Sequence, residues 1–199
     1  MFKDFLEYLH LVNATRIYAH NGGNFDFRLI IEYIEKEKIK SFIKGNSIYT
    51  FIVNYNKLKI QFLDSYLLLG SSLRSLCINF GTNVLKGHFP HLFVNKSRLE
   101  YIGVIPDIKY YPNITELEYK MIEGPFNLKN ECLKYLEADC IGLYEVLSKF
   151  SKTVYDICGI NPLNSYTISS FANKVWRKLD SDKVVDIKSY TKIAPFLMI

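Results

Sequence analysis

Paired cysteines, a secretory leader and long apolar runs are all missing from this sequence. The chain has 4 cysteines, and none of them forms a Cys-x-x-Cys pair. Charged residues interrupt the N-terminal segment, which is unlike the apolar core of a secretory signal. No apolar run reaches the length that crosses a membrane. We therefore expect an intracellular, reducing compartment with free thiols, and neither a structural zinc site nor a membrane partner.

Basic and aromatic residues are plentiful instead. The chain of 199 residues has a formal net charge of +5 and contains 15 tyrosines and 14 phenylalanines. The positive charge suits an anionic partner, and aromatic rings can stack on the bases of a single strand, although most rings should simply form the core. The length predicts one large domain, or one domain with an appendage.

Hydrophobic periodicity predicts an α/β fold. Helices are expected where apolar residues recur at helical spacing, at 2–11, 27–36, 73–80, 127–150 and 168–179. Strands are expected for a short buried run at 16–19 and for a hairpin made of 47–53 and 58–63. Prolines and glycines make 87–112 an irregular insertion. We predict a domain over 1–150 and a helical extension over 151–199.

The segment 21–26, which we call the 21–26 turn, is the most informative part of the chain. Its sequence, Asn-Gly-Gly-Asn-Phe-Asp, is typical of a turn and places Asp26 at the mouth of a predicted helix. A carboxylate there is favoured by the helix dipole and can cap free backbone N–H groups. It can equally hold a metal ion against a phosphate. The turn alone leaves both interpretations open.

A second group of candidate residues lies on the longest predicted helix. Tyr135 and Asp139 are four residues apart, so they share one face, beside an apolar stripe that includes Leu136, Leu143 and Leu147. A tyrosine hydroxyl beside a carboxylate can orient a metal-bound water for attack on phosphorus. The simpler alternative is a packed ring followed by a solvated aspartate.

Taken in order, these motifs resemble the 3′–5′ exonuclease domain of family B DNA polymerases, in particular the protein-primed type of phages and linear mitochondrial plasmids. The 21–26 turn is similar to the second exonuclease motif of that family. Tyr135 and Asp139 are similar to its third motif, Tyr-x-x-x-Asp. The segment around Lys86 resembles the part of the family that carries a phosphate-contacting lysine. The resemblance extends from Phe2 to about residue 179.

The resemblance implies a ribonuclease-H-like fold in which carboxylates hold two divalent metal ions, Mg²⁺ or Mn²⁺. In that picture Asp26 and Asp139 bind metal, Tyr135 positions the attacking water, and Lys86 neutralises charge on the phosphate. The implied partner is the 3′ end of single-stranded DNA or a primer-template. Nucleoside triphosphates and a terminal protein would be partners of a full-length polymerase alone.

The resemblance also implies contacts to a frayed single strand. Phe25 would stack on a base, while His20 and Asn21 would contribute polar contacts. A further serine of the family has two matches here. Ser65 fits by its position, and Ser72 fits by the residues that follow it.

Two departures from the family set limits on this interpretation. The first exonuclease motif, Asp-x-Glu on an N-terminal strand, is not found before Asn21, and the polymerisation motifs are not found either. In addition, His91 stands where the family often has tyrosine. We therefore expect a polymerase fragment that begins after the first strands of the fold and has little activity alone. Its composition suggests an A+T-rich genome, compatible with a mitochondrion or its plasmid.

Other interpretations stay open at this point, including whether the chain is an enzyme at all. It could be a residual single-stranded DNA-binding module that keeps a basic groove without the chemistry. It could also be a small stand-alone nuclease in which Asp64 or Glu137 replaces the missing acid. Asp64 is the better of these two because it closes a strand, although packing or capping is its simpler role.

Overall fold

The computed structural model describes residues 2–34, 39–83, 88–112 and 114–181. Its helices and strands follow in chain order: α1 Phe2–Leu11, β1 Arg16–Ala19, α2 Asp26–Ile31, β2 Ile39–Lys44, β3 Ser47–Tyr55, β4 Leu58–Asp64, α3 Tyr66–Leu69, α4 Leu73–Asn79, β5 Ile102–Gly103, α5 Glu116–Lys120, β6 Phe126–Asn127, α6 Leu128–Cys158 and α7 Ile168–Ser181. This arrangement confirms the predicted α/β class. The predicted domain limits remain predictions.

Residue contacts divide the chain into two compact units. Unit 1 consists of Met1–Ile17, Asn21–Leu68 and Ser151–Ile199, and unit 2 consists of Tyr18–His20 and Leu69–Phe150. The 21–26 turn therefore belongs to unit 1, and Tyr135 and Asp139 belong to unit 2. Among the described helices, none is long and apolar enough to cross a membrane.

The predicted hairpin is confirmed as β3 and β4, which pair antiparallel from Thr50 opposite Leu63 to Tyr55 opposite Leu58. Asn56 and Lys57 make the connection, and both have positive φ, as the tight turns that match strand twist require. The strands lie in a four-stranded sheet of order β1-β4-β3-β2. Strand β2 was not predicted, because five of its six residues are exposed and show no alternation of apolar and polar residues.

Aromatic stacking forms the centre of the unit 1 core. Phe51 on β3 and Phe62 on β4 stack in parallel, with ring centroids 4.3 Å apart. Phe27 from α2 meets Phe51 edge-on at 5.2 Å. All three rings are essentially inaccessible to solvent. Burying each ring contributes about 2–3 kcal/mol of transfer free energy, so this contact is what attaches α2 to the hairpin.

Four sequence-based boundaries or burial assignments require correction. The strand 16–19 was predicted to be buried, but Arg16 is exposed, and its Nη1 donates to Asn164 Oδ1 at 2.7 Å. Helix α2 ends at Ile31 and not at residue 36; positions 35–38 lie outside the described residues. Helix α6 continues to Cys158 instead of ending at residue 150. Leu136, predicted in the buried stripe, is 52% exposed.

Irregular backbone dominates the described part of the 87–112 insertion, as predicted. Short 3₁₀ turns at His91–Phe93 and Ile108–Tyr110 are the longest helical pieces there. The two-residue strand β5 pairs with β6 far along the chain. Phe89, Phe93, Phe126 and Leu128 form the buried cluster that holds the insertion against α6. Hydrophobic contacts therefore replace the missing backbone ladders.

Helix α5 was not predicted, although a local signal for it exists. Thr115 and Glu118 form a capping box, in which each side chain accepts from the backbone N–H of the other residue. Arg74 and His88 also approach Glu118, each at 3.0 Å. The hydrogen bonds from the Thr115 backbone and side chain, followed by the contact with His88, lower the pKa of Glu118 to about 2. The Thr-x-x-Glu spacing was the signal that could have predicted this helix.

Tyr111 is the basis of a pH prediction for unit 2. It is 5% exposed, and its hydroxyl has no hydrogen-bond partner among the described residues. Burial, together with the charges of Tyr119 and Glu131, raises the pKa of Tyr111 to about 12. An unfolded tyrosine ionises near pH ~10, so the folded state should lose stability as the pH rises from about 10 to 12.

We expect Tyr111→Phe to remove this alkaline loss and to raise the free energy of unfolding by about 1 kcal/mol at neutral pH, because it deletes a buried hydroxyl without a partner. Urea denaturation across this pH range measures both effects. The matched control is Tyr144→Phe, since Tyr144 is 72% exposed. Equal alkaline loss in the wild type and in Tyr111→Phe would contradict the assignment.

Candidate functional site

Consecutive tight hydrogen bonds build the 21–26 turn. Asn21 adopts the left-handed conformation, with φ of 62°, and its carbonyl accepts from the Asn24 N–H at 3.2 Å. The Gly22 carbonyl accepts from both Phe25 and Phe27, at 3.2 and 2.9 Å. The side-chain amide of Asn24 donates to Asn21 Oδ1 at 2.7 Å. The chain therefore turns directly from β1 into α2.

A buried carboxylate holds this turn through hydrogen bonds to its backbone. Asp64, the last residue of β4, is 3% exposed. Its Oδ1 accepts from the Asn21 N–H at 2.8 Å, and its Oδ2 accepts from the Gly23 N–H at 3.0 Å. Oδ1 also accepts from the Tyr66 N–H at 2.9 Å. Three backbone donors thus replace the water that this anion loses on burial.

Glycine at position 23 is required by close packing and not by an unusual backbone angle. A Cβ on Gly23 would lie 2.2 Å from the Ile48 carbonyl oxygen and 3.1 Å from Asp64 Oδ2. The Gly23 carbonyl itself accepts from the Ile48 N–H at 3.2 Å. The turn is therefore fixed both to the end of β4 and to the start of β3.

The turn presents Phe25 and Asp26 at the surface of unit 1. Phe25 is 65% exposed, although it is a large apolar residue. It occupies the N-cap position of α2, so Asp26 is the first helical residue and not the cap. Asp26 is exposed, where the helix dipole favours its negative charge. Both side chains are therefore accessible to a ligand.

The other predicted strand contacts differ in their accessibility. His20 is half-buried, and its Nε2 lies 2.8 Å from the Ser71 carbonyl oxygen. Ser65 is completely buried. Ser72 is exposed and caps α4 by accepting from the Ser75 N–H at 3.2 Å. Of the two candidate serines, Ser72 is the accessible one.

Tyr135 and Asp139 lie one turn apart on α6, within unit 2. The Tyr135 ring packs against Phe89 and His91, with centroid distances of 5.3 and 5.4 Å. Asp139 is half-buried. Partial burial of the neighbouring Cys140 thiol, together with the negative charge of Asp139, raises the pKa of Cys140. Packing thus fixes the position of the Tyr135 ring. The role of its hydroxyl in orienting a water molecule stays a prediction.

Two further candidates remain predictions. Lys86 lies outside the described residues. Glu137 is exposed on α6. The described residues just before position 84 are firmly held, because Glu145 accepts from the Asn83 N–H at 2.7 Å and Lys149 donates to the Gly81 carbonyl at 2.6 Å. Neither anchor was predicted from the sequence, since helical spacing does not show which loop a polar face meets.

The oxygen ligands of Asp26 and Asp139 are of the type that Mg²⁺ prefers. However, the described residues contain no group of three histidine, cysteine, aspartate or glutamate side chains that could hold a metal ion together. The donor chemistry therefore fits a divalent ion, but the described set of ligands is too small for one.

Comparison with known proteins agrees with the family that the sequence resembles. The family model described as DNA polymerase type B, organellar and viral, matches residues 11–195. The chain therefore belongs to the type B DNA polymerases of organelles and viruses. No solved structure matches it.

The individual relatives are fungal proteins, each named a probable DNA polymerase. The protein of Agaricus bitorquis is 36% identical over 94% of this chain and 26% of its own length. That of Neurospora intermedia is 33% identical over 91% of this chain and 21% of its own length. That of Ascobolus immersus is 27% identical over 88% of this chain and 16% of its own length. The chain thus spans about a quarter or less of these relatives.

Gly23→Ala should destabilise unit 1 by about 1–3 kcal/mol, because backbone atoms at 2.2 Å cannot move aside cheaply. Urea denaturation followed by circular dichroism measures the loss. The matched control is Gly103→Ala, because the atoms nearest to its new Cβ are distal side-chain atoms of Tyr101 and not backbone. A loss for Gly23→Ala no larger than that for the control would show that the turn is not closely packed.

Proposed function

We propose that this chain carries part of the 3′–5′ proofreading exonuclease site of a protein-primed family B DNA polymerase. In isolation it binds the 3′ end of single-stranded DNA without cutting it. The observation that supports this best is the 21–26 turn, a rigidly anchored turn that exposes an aromatic ring and a carboxylate side by side.

Strand binding follows from the chemistry of the exposed groups. Phe25 offers a ring on which an unpaired base can stack, whatever its identity. Asn21, in the same turn, and His20, which precedes it in the sequence, provide polar groups, and Ser72 provides an accessible hydroxyl. The formal net charge of +5 favours a polyanion and predicts salt-dependent binding.

Within a complete polymerase, Asp26 and Asp139 would hold divalent metal, Mg²⁺ or Mn²⁺, which supplies Lewis-acid stabilisation of the phosphate. Tyr135 would orient the attacking water, and Lys86 would neutralise charge on the phosphate. The ribonuclease-H-like arrangement that such a site needs is part of this proposal. The third carboxylate would come from an Asp-x-Glu strand, a motif that these 199 residues do not contain.

The cellular location and the biological role are proposed from the family to which the chain belongs. Organellar and viral type B polymerases match the chain, which fits a mitochondrial or linear-plasmid location and a role in DNA replication. Primer-template DNA, nucleoside triphosphates and a terminal protein would then be partners of the longer polymerase. A stand-alone nuclease is less well supported, because both oxygens of its best substitute acid, Asp64, already accept backbone N–H groups.

Binding should be detectable by fluorescence anisotropy with a 5′-labelled oligo(dT), which leaves the 3′ end free. Phe25→Ala should weaken it by about tenfold, since a stacked base contributes about 1–3 kcal/mol. The matched control, Phe42→Ala, removes a ring that is 56% exposed on β2 and should leave affinity unchanged. Equal weakening by both substitutions, or no binding by the wild type at low salt, would contradict the proposal.

Cleavage should be absent from the isolated chain. We expect incubation of a 5′-labelled single strand with Mg²⁺ to give no shortening beyond that seen with Asp139→Ala. Asp156→Ala serves as the control, because Asp156 is an exposed aspartate near the end of the same helix. Mg²⁺-dependent shortening that Asp139→Ala abolishes and Asp156→Ala preserves would show that the chain is an active nuclease.

A further inference from the structure

We propose that Asp64 is a positioning residue for strand binding. Its buried carboxylate fixes the 21–26 turn in the conformation that presents Phe25 and Asp26, and it serves neither as a substitute catalytic acid nor as a metal ligand. The link to strand binding rests on the proposed function. The link between Asp64 and the turn stands on the geometry alone.

The hydrogen bonds of Asp64 give the first part of the argument. Oδ1 accepts from Asn21 and Tyr66, and Oδ2 accepts from Gly23, all within 3.0 Å. The carboxylate is 3% exposed, so these three N–H groups take the place of its hydration. With 3% exposure, the Asp64 carboxylate also offers very little surface to water or a metal ion. Asp64 therefore fixes the backbone of the 21–26 turn and is poorly placed to act as a catalytic acid.

The conformation of the turn gives the second part. Asn21 has φ of 62°, a region that costs a non-glycine residue free energy. The Asn21 N–H points into Asp64 Oδ1, and the N–H two residues later points into Oδ2. One carboxylate thus receives two N–H groups that converge only when Asn21 is left-handed. Losing the anion would release the turn into more extended conformations.

The position of the exposed groups gives the third part. Phe25 and Phe27 donate to the Gly22 carbonyl, so the start of α2 depends on where Gly22 stands. Gly22 lies between the two residues whose N–H groups Asp64 holds. A change at Asp64 should therefore move Phe25 and Asp26 without touching either side chain.

Two substitutions of Asp64 in the full 199-residue chain separate this role from simple loss of folding. In Asp64→Asn the remaining carbonyl oxygen can still serve Asn21 and Tyr66, but the new NH₂ faces the Gly23 N–H. In Asp64→Ala all three acceptors are lost. Asp156→Asn is the matched control, because Asp156 is exposed in unit 1 and pairs with Lys152 along α6.

Amide hydrogen exchange followed by NMR is the direct measurement. For Asp64→Asn we expect the Gly23 amide to exchange about tenfold faster or more, with smaller changes at Asn21 and Tyr66. For Asp64→Ala we expect all three amides to exchange faster. The amides of Phe51 and Phe62 should keep their protection in Asp64→Asn, which reports that the core is intact. Asp156→Asn should change none of these amides.

Affinity for 5′-labelled oligo(dT) completes the test. Asp64→Asn should weaken binding about as much as Phe25→Ala does, although it keeps the thermal midpoint within a few degrees of the wild type. Unchanged Gly23 exchange in Asp64→Asn would overturn the positioning role. Faster Gly23 exchange with unchanged affinity would overturn its link to strand binding. If the wild type does not bind oligo(dT), the proposed function fails, while the exchange pattern still decides the role of Asp64.

Discussion

The register of the β3–β4 hairpin is the constraint on which the rest of unit 1 depends. Pairing from Tyr55 opposite Leu58 to Thr50 opposite Leu63 brings the end of β4 beside the start of β3. Asp64 and Ile48, the two residues that hold the 21–26 turn, lie at this same end of the hairpin. A shift of one residue would turn every side chain of β4 to the opposite face and remove the carboxylate from the turn. The candidate site is therefore a consequence of strand pairing.

Local signals made much of this fold predictable. The Ser72 cap, the turn at Asn56 and Lys57, and the apolar periodicity of α1 each depend on residues within one or two turns of the chain. Elements without a local pattern were missed or misjudged, as the exposed strand β2 shows. The exposure of Leu136 was also unpredictable, since helical spacing does not tell where packing partners end.

The candidate site shows the same division. The residue types in the 21–26 turn and in Tyr135-x-x-x-Asp139 were enough to indicate a family, which the family comparison then confirmed. The role of Asp64 was not accessible in this way, because its partners Gly23 and Asn21 are 41 and 43 residues away. A buried aspartate at a strand end resembles a substitute acid until the donors around it are known. Contacts, and not composition, separate these roles.

Unit 1 consists of three separate chain segments, and this affects how it can fold during synthesis. Its last segment starts at Ser151, after the whole of the 69–150 part of unit 2. The Arg16–Asn164 hydrogen bond closes a separation of 148 residues. At about 5–20 residues per second, a ribosome needs roughly 7 to 30 seconds to supply the second partner. During that time Arg16 remains without this partner, a period in which a chaperone could engage the nascent chain.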